Sequence, residues 1–218
     1  MNTMNEKPIL FSGEMVRAIL SGRKTQTRRV VTPQPKNDLS WAKRGEKYAS
    51  TFFASEYAMR GEIARCSHYG QPGDRLWVRE TWRCEERGEY GIDGVHYQAD
   101  DAFIVIENTQ EAADAWIDAK REGDPWRPSI YMPRWASRIT LDVVSVMVER
   151  VQLITGSDVY FEGVGVPYTT NSGIAKYQES QRAEFSKLWD SINAKRGFGW
   201  DVNPWVWVIE FKVVEVKS

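Results

Sequence analysis

Only two cysteines and two histidines occur in the 218 residues of this chain. Cys66 and Cys84 form no Cys-x-x-Cys pair, and ten tryptophans supply enough apolar area for a core without disulfide staples. Cys66, His68, Cys84 and His96 lack the spacing of a zinc site, Cys66-Ser67-His68 being too close for a structural pair, so no metal is expected. Two histidines without a Ser or Cys elbow also argue against a His-based triad. No Walker loop and no Gly-x-Gly-x-x-Gly turn is present, which leaves nucleotide hydrolysis by those routes unsupported, and no cofactor is expected. Long apolar runs are missing as well. Nothing approaches membrane-spanning length, and Met1 to Pro8 is polar with no apolar signal region. The chain therefore reads as soluble, cytoplasmic and without a membrane partner. We read it as one domain over residues 1–218, expected to act as a monomer.

Net charge is also small, −1 in all, but it is unevenly spread. Glu85 to Asp124 holds twelve acids against three bases (Arg87, Lys120, Arg121), a net of −9, so the remainder is +8. Such a layout steers a polyanion to one side, or else marks an ordinary solvated acidic insertion. The opposite extreme lies between Met15 and Pro35, with five basic residues and no acid. Its centre, Ser21-Gly22-Arg23-Lys24-Thr25-Gln26-Thr27-Arg28-Arg29, can meet phosphate, a carboxylate or a polarised carbonyl.

Pattern and turn signals place the elements. Residues 8–11 read as a strand, 14–20 as an amphipathic helix closed by Gly22, and 26–31 as a strand broken by Thr32-Pro33-Gln34-Pro35. Residues 36–68 look like an insertion. After the Gly70–Asp74 turn, Arg75 to Cys84 alternates as a single strand, and Val95 to Ala99 pairs back with it. Thr109 caps a helix ending near Gly123. Residues 138–154 are β-rich, Thr155 with Asp158 resembles a capping box for a short helix ending at Gly163, and 175–193 is the longest helical pattern. Trp205 to Val216 closes the chain as a strand. Several short strands with few helices indicate an α+β fold built on a small mixed β-barrel, carrying insertions at about 36–68 and 85–124.

Within the basic run, alternation along a regular strand sends Lys24 and Thr27 to opposite faces, so they meet only if the turn after Gly22 persists through Lys24 or Thr25. Arg23 and Arg28 disfavour a second positive charge and lower the pKa of Lys24, which suits it as a base for Thr27. Arg28 is a candidate for an oxyanion or a phosphate. In the competing reading Lys24 and Arg28 are phosphate contacts and Thr27 is a β-former. Glu80, in register with Leu76, Val78 and Trp82, faces inward and needs a cation, for which the 23–29 run is the natural source. Trp126 to Trp135 interleaves aromatics with arginine. Trp126, Tyr131, Arg134 and Trp135 suit a nucleic-acid or nucleoside wall, or barrel packing.

The stretch Gly22 to Arg28 resembles the ASCH domain family, whose signature is Gly-x-Lys-x-x-(Glu or Thr)-x-Arg after the first helix. Pro72 to Trp82, Ile130 to Ile139 and Pro204 to Phe211 are similar to prophage-borne members. The four blocks stand in the right order across most of the chain, apart from 36–64 and 85–124. This resemblance implies a PUA-like β-barrel with a cleft for a modified nucleoside, RNA or DNA, contacted here by Arg23, Arg28 and Arg29. Small bacterial members deacetylate N(4)-acetylcytidine with a Lys, a Thr three residues on and a distant Glu. Lys24 and Thr27 match the first two, and Glu162, in the helix after the long strand, matches the third. Those enzymes are about half this length. The expectation is an amidohydrolase with catalytic Lys24, Thr27 and Glu162. The alternative is a non-catalytic RNA- or DNA-binding module.

Overall fold

A computed structural model describes residues 5–35, 56–89, 91–169 and 173–217. The elements in chain order are β1 (Glu6–Leu10), α1 (Gly13–Leu20), β2 (Gln26–Val30), α2 (Glu56–Arg65), β3 (Arg75–Arg79), β4 (Trp82–Arg87), β5 (Ile92–Tyr97), β6 (Phe103–Val105), α3 (Gln110–Ala119), β7 (Ile139–Arg150), α4 (Gly156–Phe161), α5 (Ile174–Asn193) and β8 (Trp205–Val216). They fold as two compact units: Met1–Gly22, Gly73–Asp142 and Lys212–Ser218 in the first, Arg23–Pro72 and Val143–Phe211 in the second. The architecture is mixed α+β. Among the described residues neither sheet closes on itself, and the strands form one five-stranded and one three-stranded sheet.

In the first unit β1 runs parallel to β3, and β3 pairs antiparallel with the start of β7, Leu76 opposite Leu141. A separate three-stranded sheet has the order β4-β5-β6. The single strand expected over Arg75 to Cys84 is thus two. The chain leaves one sheet after Arg79 and enters the other at Trp82. Glu80 occupies the break, and its carboxylate is used there rather than in a ladder. The core of this unit gathers Trp82, Cys84, Val95, Tyr97, Trp116, Met132 and Ala136. Burial of its apolar area is the main favourable term for such a cluster. Burial pushes the Cys84 thiol up to about 11, consistent with a packing role.

In the second unit β2 pairs antiparallel with β8 without a slip, from Gln26 opposite Glu210 to Val30 opposite Val206. The order β7-β8-β2 leaves β2 at the edge of this sheet. Trp205 to Ile209 is buried residue after residue, so both faces of this part of β8 are covered. Val206 and Val208 join Val151, Ile154, Val159, Phe185 and Trp189 in the core beneath α4 and α5. Trp205 and Trp207 take the other face, where Arg60 and Arg150 lie over the Trp205 ring and Trp207 Nε1 donates to Ile63 O at 3.2 Å. The region 36–68, expected as an insertion, contains α2; its residues 36–55 lie outside the described residues.

Candidate functional site

Helix α4 is short, and its two ends are fixed by different devices. At the start the Thr155 hydroxyl accepts from Asp158 N at 3.1 Å while Asp158 Oδ2 accepts from Thr155 N at 2.9 Å, the capping box read from the sequence. At the end Gly163 takes φ +84, its N–H donates to Tyr160 O, and Val164 N donates to Val159 O. This is a Schellman closure, which requires the left-handed residue that glycine supplies. Glu162 is therefore the C-cap, held at a fixed point where the helix leaves its last carbonyls bare.

The chain around Lys24 satisfies those carbonyls. Thr25 N donates to Phe161 O at 2.9 Å, Gln26 Nε2 to Asp158 O at 2.9 Å, and Lys24 Nζ to Glu162 O at 2.7 Å. Lys24 Nζ also donates to Gln26 O at 2.8 Å and to Glu162 Oε2 at 2.8 Å. Three oxygens around one nitrogen match the three N–H bonds of an ammonium. Lys24 is only 1% exposed and Glu162 4%. Burial holds Lys24 below its ordinary value, with Glu162 opposing and the Arg29 and Arg28 charges adding to the depression.

Arg28 completes the cluster. Its Nη1 meets Glu162 Oε1 at 3.2 Å, its Nε donates to Glu149 Oε1 at 2.9 Å, and its Nη2 lies 2.8 Å from Glu149 Oε1 and 3.5 Å from Asp158 Oδ2. The two oxygens of Glu162 are thus divided between two cations. Burial raises Asp158, but the Thr155 backbone and hydroxyl, Gln26 and Arg28 together bring it below the usual carboxylate range. The basic run is turned inward. Lys24 and Arg28 face carboxylates of the same unit, and Arg28 offers no open fork for an oxyanion or phosphate.

Thr27 and Arg29 occupy the other face of β2 by alternation. Thr27 is 2% exposed, and its hydroxyl makes no side-chain hydrogen bond among the described residues, to Lys24 and Glu162 included. Because β2 is an edge strand, side chains of both faces border its open side. Arg29 is held below its ordinary value by burial, with Tyr69 and Glu162 opposing, and it stands over the Tyr69 ring at 6.0 Å. Arg23 is half-buried and reaches Gly165 O at 3.5 Å.

The other expected contacts belong to the first unit and are engaged there. Glu80 is paired with Arg138 through two parallel bonds of 2.9 Å, not with a cation of the 23–29 run. Asp100 accepts two further Arg138 bonds at 2.8 and 3.0 Å, and Tyr97 lies under the guanidinium. The Trp126 ring lies 4.6 Å from the Arg83 guanidinium and 4.9 Å from the His96 ring. Trp135 packs edge-on against Trp82, Arg134 pairs with Glu6, and Tyr131 is exposed. Of the residues read as a base-stacking wall, Tyr131 alone keeps a largely open ring. Among the described residues no group of metal-ligating side chains occurs, and no helix is long and apolar enough to cross a membrane.

Gln26, Glu149 and the ligating role of Asp158 were not read from the sequence. Gln26 and Arg28 share a period of two, which is a usable signal. Glu149 carries none, since only the topology brings the end of β7 to Arg28.

No family model matches the chain, and no curated protein matches it. Among solved structures it is similar to protein EF3133 from Enterococcus faecalis V583, described under the family model DUF984. The likeness covers 99% of this chain and 79% of that one at 9% identity, with a TM-score of 0.40. A likeness this distant assigns neither fold nor function.

Proposed function

We propose that the protein is an ASCH-type amidohydrolase that removes an acyl group from the exocyclic amine of an N(4)-acylated cytidine. The observation that carries this reading is the buried Lys24–Glu162 pair, 2.8 Å apart. Amide hydrolysis needs a proton taken from a nucleophile and a proton given to the departing amine. A lysine hydrogen-bonded to a carboxylate supplies both, because the proton can reside on either partner. Burial of Lys24 moves its loss of a proton towards working pH. The competing phosphate-clamp reading needs accessible cations, whereas Lys24 and Arg28 are engaged by internal carboxylates.

Thr27 is the proposed nucleophile, since its hydroxyl is not engaged by another described side chain. In the reaction its oxygen attacks the acyl carbonyl carbon and its proton passes to neutral Lys24. The C–N bond breaks as Glu162 relays a proton to the leaving amine. Water then hydrolyses the acyl-threonine ester, releasing the carboxylic acid and restoring the hydroxyl. Under this reading Thr27 and Lys24 meet around the open edge of β2 once substrate is bound, as catalytic hydrogen bonds often tighten only in the complex.

The test is cytidine release from N(4)-acetylcytidine. Lys24→Ala and Thr27→Ala are each expected to lower turnover by at least about 100-fold while remaining folded. A folded wild-type protein without turnover, or variants as active as wild type, overturns the reading.

A further inference from the structure

Glu149, Arg28, Glu162 and Lys24 stand in one line of contact with alternating charge. Arg28 grips Glu149 through Nε and Nη2 at 2.9 and 2.8 Å, Arg28 Nη1 reaches one Glu162 oxygen at 3.2 Å, and Lys24 holds the other at 2.8 Å. Without Glu149 and Asp158, the buried Lys24–Glu162–Arg28 group would carry two cations and one anion. The Arg28 side chain is only 2% exposed, so solvent screens its charge little. Asp158 lies farther from Arg28, at 3.5 Å, and is shared with Thr155 and Gln26. Glu149 is the nearer counter-charge and faces Arg28 with a single oxygen.

We infer that Glu149 is a positioning residue for the Lys24–Glu162 pair: by holding and neutralising Arg28 it fixes the Glu162 carboxylate and sets how readily Lys24 releases its proton. The inference rests on the reading of that pair as the proton-handling group. The charges that bear on Lys24 come from every element around it. Glu162 at the α4 cap and Arg29 and Arg28 from β2 act on it directly, while Glu149 from β7 and Asp158 from α4 reach it through Arg28. An Arg28 left without Glu149 repels the ammonium more strongly, while loss of Arg28 removes a like charge and leaves Glu162 to Lys24 alone. The two substitutions must therefore act in opposite directions.

The experiment follows the Lys24 Nζ signal in protein carrying 15N-lysine, assigned with Lys24→Arg, beside the pH profile of N(4)-acetylcytidine hydrolysis. Glu149→Gln is expected to lower the pH at which Lys24 titrates by roughly one unit, and Arg28→Gln to raise it by a similar amount. If Glu149→Gln does not fold, Glu149→Asp retains the charge at a longer reach and must shift the titration in the same direction by less. A Lys24 titration that is unmoved, or that moves upward when Glu149 is altered, overturns the inference, even where thermal stability falls. A shifted titration in a wild-type background that never hydrolyses the nucleoside upholds the relay and removes the amidohydrolase reading. Hydrolysis with an unmoved Lys24 removes the relay alone.

Discussion

Each unit of this protein buries an ionic cluster among its described residues, and the kind of cation in it decides what the two can do. In the first, Glu80 and Arg138 form a bidentate pair, with Asp100 completing the guanidinium. Burial raises Glu80 and Arg138 pulls it back, while Arg138 itself is raised because the bonds to Glu80 and Asp100 outweigh its own burial. An arginine so held does not give up its proton. In the second, the cation facing the carboxylate is a lysine, which burial holds below its ordinary value. Both clusters tie distant segments together. Only the second has a proton to exchange.

That contrast can be broken from either side. The largest stability effect is expected in the first unit. Arg138→Gln leaves Glu80 buried without its counter-charge, at a cost of about 3–5 kcal/mol. Chemical denaturation measures it, and the molecules that remain folded should keep their activity. An Arg138→Gln protein as stable as wild type would mean that the buried pair contributes nothing to the fold.

The pH dependence separates the clusters next. Because Lys24 has a lowered value in the fold, the unfolded chain binds more protons between that value and the ordinary lysine value of 10.5. Stability must rise with pH across this window, and the cost of burying the ammonium is fully present below it. Lys24→Met should flatten the rise, whereas Glu80→Gln should leave it intact. Denaturation midpoints collected from neutral pH to about pH 10 decide the matter.

The smallest effect concerns how Glu162 is held. Thr155→Ala removes the cap that anchors α4 and should cost about 1 kcal/mol. Turnover is expected to fall further than that stability loss alone explains if the helix sets the Glu162 carboxylate. An unchanged turnover would mean that the Schellman end alone is enough.

Much of this was legible in the sequence because local rules decide it. The capping box at Thr155 and Asp158, the glycine after Glu162 and the caps of α1 and α3 are short-range chemistry, and all are present. The pairing of Lys24 with Glu162 was reachable through the family resemblance and not from the residues alone, since 137 positions intervene between them. What escaped was non-local. Arg75 to Cys84 alternates like one strand, yet the chain breaks into β3 and β4, with the buried Glu80 between them paired to Arg138. Strand count likewise gives the mixed α+β class but does not say which edges pair, and the two sheets are seen only in the fold. Glu149 carries no signal of its own in the sequence. Its role became visible only when β7 brought it to Arg28.

Lys24 and Arg28 of the basic run after Gly22 are buried and paired with carboxylates. There Lys24 is hydrogen-bonded to Glu162 inside a buried polar cluster, the pair on which the proposed reaction rests. The most direct test is the rate of cytidine release from N(4)-acetylcytidine by Glu162→Gln, measured beside Arg138→Gln at equal folded concentration. The account predicts a loss of at least about 100-fold for Glu162→Gln and near wild-type turnover for Arg138→Gln. Equal rates in the two variants, or no turnover in the wild type, would contradict it.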